Sequence, residues 1–192
     1  QLASAKNDTA RVDLLYNLSF SYAFRYPDSA IIYAKQGLEL SKKIDYKKGE
    51  SYCLSAVSSA FTVAGNFTGA LHYGFENLAL SEKMNDSNLL INAFVDLMVC
   101  YREQEDYKEA LKYGSKALAI LKYQKVDTVL KKLTLGFISS VYEKNNQLDS
   151  ALYWGTRALE FFKPFSWAGL YLTLGNIYSK SGQKNLALDC YR

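Results

Sequence analysis

An internal repeat constrains this chain more than any other feature. Ala70-Leu71-His72-Tyr73-Gly74 recurs as Ala110-Leu111-Lys112-Tyr113-Gly114 and as Ala151-Leu152-Tyr153-Trp154-Gly155. An earlier copy reads Ala30-Ile31-Ile32-Tyr33-Ala34, and a last one reads Ala187-Leu188-Asp189-Cys190-Tyr191. The alanines stand 40, 40, 41 and 36 residues apart, a regularity expected of stacked supersecondary units.

Each alanine is preceded by an apolar triplet spaced i, i+3, i+7. The copies are Leu15, Leu18, Tyr22; Leu54, Val57, Phe61; Phe94, Leu97, Tyr101; Leu135, Ile138, Tyr142; and Tyr171, Leu174, Tyr178. That spacing is one stripe of an α-helix and does not fit strand alternation. From the last member of the triplet to the alanine there are nine residues in four copies and eight in the first. Every repeat therefore reads as two helices, the first carrying the stripe and the second opening near the alanine.

Turn and cap residues separate them. Gly65-Asn66, Glu105-Asp106 and Tyr26-Pro27-Asp28 divide first from second helices, and Asp106 with Glu109 is spaced as a capping box. Asp45, Asn85-Asp86 and Lys163-Pro164 divide one repeat from the next. The pattern predicts ten helices, over 9–25, 28–44, 47–64, 67–84, 87–104, 107–123, 127–145, 148–162, 166–181 and 184–192. The expected fold is all-α, a right-handed α-solenoid of about five helical hairpins. It is read as one array over 1–192, with repeats 9–45, 46–85, 86–126, 127–164 and 165–192, the last incomplete.

With these landmarks in place, the chain resembles the tetratricopeptide-repeat family, whose pattern is W-x2-L-G-x2-Y followed by A-x3-F. The last repeat matches best, through Tyr171, Leu174, Gly175, Tyr178, Gly182, Ala187 and Tyr191. The period near 40 exceeds that of the family, and Leu, Phe or Tyr replaces the family tryptophan. Longer repeats of this kind resemble those of kinesin light chains, bacterial peptide-pheromone receptors and bacterial sensor-kinase input regions. The stretches NDTARVDLL and PDSAIIYAKQGLELSKK look most like the last group.

The resemblance implies that the first helices line a concave face able to take a protein or a peptide. Carried over by register, the candidate groove residues are Tyr16, Phe20, Tyr52, Ser55 and Ser59, then Asn92, Asp96, Val99 and Arg102, then Gly136, Phe137 and Ser140, and finally Asn176. Some members clamp a partner's C-terminal carboxylate with Lys and Asn. The matching positions here hold Tyr16, Phe20, Tyr52 and Ala56, so no clamp is expected. A sensory or dimerising region of a larger signalling protein, such as a two-component histidine kinase, is the alternative role.

Composition narrows the rest. The net charge of +4 is too mild to imply nucleic acid by itself. Lys42, Lys43, Lys47 and Lys48, and likewise Lys122, Lys125, Lys131 and Lys132, read as solvated helix ends. Cys53, Cys100 and Cys190 are odd in number and lack C-x-x-C pairing, so they read as buried free thiols and leave the compartment open. No apolar run is long enough to span a bilayer, so no membrane insertion is expected of this segment. His72 is the single histidine, which removes a multi-His metal site, and its place on a second helix beside Leu71 and Tyr73 speaks against a His-based triad. Neither a catalytic residue, a cofactor nor a metal is expected. Leu186, Leu188 and Tyr191 make the last helix apolar, from which we expect either a further helix or a homodimer through that end.

Overall fold

The computed structural model describes residues 7–160 and 168–192. Among the described residues there are ten α-helices and no strand. They are α1 (Asp8–Tyr22), α2 (Pro27–Lys43), α3 (Lys47–Val63), α4 (Phe67–Met84), α5 (Ser87–Glu103), α6 (Tyr107–Tyr123), α7 (Thr128–Lys144), α8 (Leu148–Leu159), α9 (Ala168–Lys180) and α10 (Lys184–Tyr191). Odd-numbered helices are the first members of the hairpins. The expected break at Lys163-Pro164 and the adjoining helix ends lie outside the described residues.

Two compact units form, residues 1–100 and 101–192, the boundary falling near the end of α5. In the first, α1 packs on α2, α2 on α3 and α3 on α4, and the first helices α1 and α3 also meet. In the second, each helix from α6 to α10 packs on its successor, and the first helices α7 and α9 meet.

The constant nine-residue gap has a backbone cause. The carbonyls of Phe61, Tyr101, Tyr142 and Tyr178 each accept a hydrogen bond from the N–H five residues on, at Asn66, Asp106, Gln147 and Gln183. The residue just before each of those donors is left-handed: Gly65 and Gly182 at φ 75°, Glu105 at 62° and Asn146 at 56°. This is a Schellman helix end. Its last residue caps the next helix, and the N–H of the alanine four further on closes the first turn onto that residue's carbonyl. The first hairpin has no left-handed residue. Tyr26 N–H bonds Tyr22 O over four residues at 2.8 Å, and Pro27 opens α2, so its gap is one shorter. For the same reason α1 stops at Tyr22, three residues before its expected end.

Capping is only partly as expected. Asp106 accepts from the Glu109 N–H at 3.1 Å. The return bond of a capping box does not form, because the Asp106 N–H is bound by Tyr101 O and the Glu109 carboxylate pairs with Lys112. Between repeats, Asp45 and Asn85 are left-handed, and Asp86 caps α5 by accepting from the N–H groups of Asn88 and Leu89.

Glu105 is exposed and holds a conformation that glycine adopts at lower cost. Glu105→Gly is therefore expected to raise stability by about 0.5–1 kcal/mol, once the greater freedom of glycine in the unfolded chain is discounted. The urea midpoint measures it; an unchanged or lower midpoint contradicts a strain cost at this turn.

All five repeat alanines are buried, four of them at 0% exposure. The first helices close on them: Ser58 Oγ donates to Ala70 O at 2.8 Å, and Ser139 Oγ to Ala151 O at 2.7 Å. Gly74 and Gly155 serve the same close approach. A Cβ at Gly74 would stand 2.9 Å from Leu97 Cδ2, and one at Gly155 would stand 2.8 Å from Leu174 Cδ2. Leu54, Val57, Leu97, Ile138 and Leu174 form the cores, with the third aromatic of each stripe half-buried at the rim. Cys53 and Cys100 are buried, but Cys190, on the last helix α10, is only partly so. Among the described residues no helix is long and apolar enough to cross a membrane.

Candidate functional site

The first-helix residues singled out by register fall into two groups. In the first unit, Tyr16 of α1 and Tyr52 of α3 bring their rings to a 5.6 Å centroid distance, tilted by 32°. Beside them Ser55 of α3 and Asn77 of α4 flank the carboxylate of Asp96, on α5. Asp96 as a residue keeps some solvent access, yet its Oδ2 is sealed from water and ends without a hydrogen bond.

Desolvation dominates at this carboxylate and raises its pKa to about 7, against the smaller opposing effects of Ser55 and Asn77. Burial, and then the nearby Asp96, push the Tyr16 phenol up as well. Asn77 is fully buried in α4 and accepts from Ser51 Oγ at 2.6 Å. Its Nδ2 sits close enough to favour the charged carboxylate, but not in hydrogen-bond geometry, and it too ends without a partner.

Asn77 was not among the sequence candidates. A signal for it was present. Seven residues after the repeat alanine the other copies hold Gly37, Ala117 and Ala158, so an amide in that slot is a polar group inserted where the fold wants a small one.

The second group is self-satisfied. In the second unit Arg102 Nη1 donates to Ser140 Oγ at 2.5 Å, while Nε and Nη2 bind the Glu103 carboxylate. Ser140 in turn donates to Phe137 O at 2.7 Å. Arg102 thus joins α5 to α7. Gly136 is buried beneath the surface, and Phe137 is half-buried. Asn176 accepts from the Tyr191 hydroxyl at 2.9 Å, so its acceptor is taken by α10. Asn92 and Val99 are half-buried, Ser59 is exposed, and Phe20 is 67% exposed.

Burial, with a smaller push from Asp13, raises the Cys53 thiol to about 12, far from thiolate chemistry at neutral pH. His72 is exposed against Tyr73. Among the described residues no cluster of three or more His, Cys, Asp or Glu is placed to hold a metal ion.

A family model described as tetratricopeptide repeat matches residues 89–163, which run from α5 through α8. The fold is that of TPR-like helical repeats. Its hairpins agree with those of solved repeat structures: it superposes with a TM-score of 0.66 on the TPR-like repeats of a Podosopora anserina kinesin light chain, at 14% identity, covering 97% of this chain and 93% of that one. A Rap protein complexed with competence and sporulation factor gives a TM-score of 0.78 at 18% identity, over 98% of this chain and 54% of that one. In sequence, response regulator aspartate phosphatase I of Bacillus subtilis (strain 168) is 23% identical over 154 residues, 76% of this chain. The chain spans 38% of that relative's length.

Proposed function

We propose that this array is a non-catalytic binding module of a signalling protein, and that its first unit takes a cationic group of a protein or peptide on the first-helix face. The observation that carries this reading is the Asp96 carboxylate: desolvated, flanked only by the neutral Ser55 and Asn77, and left with an unbonded oxygen beside two tyrosine rings. A buried carboxylate without a cation is costly to a fold. A guanidinium or ammonium from a partner removes that cost, while aromatic faces add cation–π attraction. Lys48 lies 5.8 Å from the Tyr52 ring centroid and is not among the groups that shift Asp96.

The related Rap structure is a complex with competence and sporulation factor, and the relatives' name, response regulator aspartate phosphatase, favours a signalling role for this chain too. The binding reading is preferred to catalysis because the single histidine is exposed and the Cys53 thiol is held protonated. Nucleic acid is disfavoured as a partner. Lys42 pairs with Glu76, and Lys47 pairs with Asp45 and Glu50, so these cations are already neutralised.

The test is retention of this chain by an immobilised library of short peptides. Retaining peptides are expected to be enriched in Arg or Lys, and Tyr52→Ala is expected to weaken retention at least ~10-fold, as loss of an aromatic anchor does. His72→Ala, on the second-helix surface, should leave retention unchanged. Loss on His72→Ala with Tyr52→Ala unaffected would move the site to the other face.

A further inference from the structure

We infer that occupation of the first-helix face is coupled to proton release from Asp96, so that a partner is taken once that carboxylate has lost its proton. The inference rests on the cationic reading proposed above and adds a regulation to it.

The geometry supports it from every side of the first unit that faces the group. α1 contributes Tyr16, and α3 contributes Ser55, with Tyr52 and Cys53 beyond the Tyr16 ring. α4 contributes the neutral amide of Asn77, itself bonded away to Ser51. Within the first unit no charged group among the described residues holds the carboxylate ionised, and Oδ2 has no donor. Without a cationic partner the protonated acid is favoured, because burial penalises the charge and a protonated oxygen needs no cation. An incoming guanidinium reverses that preference, since it pairs with the ionised form alone. Binding and deprotonation must then assist each other by the same factor.

The midpoint near pH 7 places this coupling where small changes act. Between pH 6 and pH 8 the competent, ionised fraction rises from about 0.1 to about 0.9, so the apparent dissociation constant falls about tenfold. Each binding event at pH 6 releases about one proton, and at pH 8 it releases about 0.1.

The experiment uses an arginine-containing peptide retained from the library above and its analogue with neutral citrulline at the same position. Titration calorimetry is run at pH 6 and pH 8, in two buffers of different ionisation enthalpy, on the wild type and on Asp96→Asn. Expected are a tenfold tightening from pH 6 to pH 8 for the arginine peptide, release of about one proton at pH 6, and loss of both in Asp96→Asn. Preference for arginine over citrulline that is equal at the two pH values, with no proton released, overturns the coupling and leaves the cationic reading standing. Equal binding of both peptides, or retention of none, overturns the cationic reading and the coupling with it. A ¹³C titration of the Asp96 carboxyl carbon in the free protein is independent of any ligand. A midpoint below about pH 5, within the ordinary carboxylate range, overturns the coupling even if Asp96→Asn fails to fold.

Discussion

Ala151→Leu is expected to cost the fold about 1–3 kcal/mol, and more if the hairpin cannot open. Ala151 has no exposed surface and sits in a core cluster with Leu135, Leu170, Leu174 and Ile177. Its carbonyl is held by Ser139 Oγ, so α7 and α8 touch at this level without room for a longer side chain. The neighbouring slot is as tight: a Cβ on Gly155 would lie 2.9 Å from that same Ser139 Oγ. Extra carbons must push α7 and α8 apart, which breaks the serine bond and loosens Leu174. Urea melts monitored by circular dichroism measure the loss, and hydrogen exchange locates it. Protection should fall in α7, α8 and α9 while the amides of α2 and α3 keep theirs. A midpoint equal to that of the wild type would show that the repeat alanine does not mark a close helix contact.

Asp96→Asn is expected to make the protein more stable above pH 7 and to flatten its dependence on pH. The folded-state pKa of this acid lies near 7, above its unfolded value of 3.8. Between those values the folded state holds a proton that the unfolded state has released, so stability declines as pH rises. The stabilisation is complete below about pH 4 and gone above about pH 7, the reverse of an ion-paired carboxylate. The amide carries no charge to desolvate and can donate where the carboxylate cannot. At pH 8 the gain should be on the order of 2 kcal/mol, less than the whole shift converts to, because the new amide needs partners of its own. Thermal melts of both proteins at pH 5 and pH 8 decide it. A variant that loses stability by the same amount at both pH values would show that Asp96 is ionised and satisfied in the folded protein.

Much of the fold was legible because it rests on local rules. The stripe of Leu54, Val57 and Phe61 and its copies state a helix period, and the nine-residue gap states a turn. That gap proved to be a Schellman end followed by a cap and one helical turn, all of which depend on residues within ten positions of each other. The shorter gap of the first hairpin was equally visible, but its meaning, a turn lacking the left-handed residue, emerged only from the backbone. Helix ends were placed to within a few residues, with α1 the largest departure because its final turn tightens before Pro27.

The sequence by itself determined the helical hairpins, the small residues at their crossings and the register that puts Tyr16, Tyr52, Ser55 and Asp96 on first helices. Period and turn chemistry act over a few residues and need no partner to be read. Only the tertiary structure decided what those side chains do. Arg102 and Asn176 were also singled out on first helices, yet Ser140 with Glu103 and Tyr191, brought in from other helices or the next position, satisfy them. Asp96 receives the opposite treatment: α4 delivers Asn77 to its side without completing a bond, and burial removes its water. The charge state of a carboxylate follows from the dielectric and donors around it, and those are assembled by packing between helices distant in sequence.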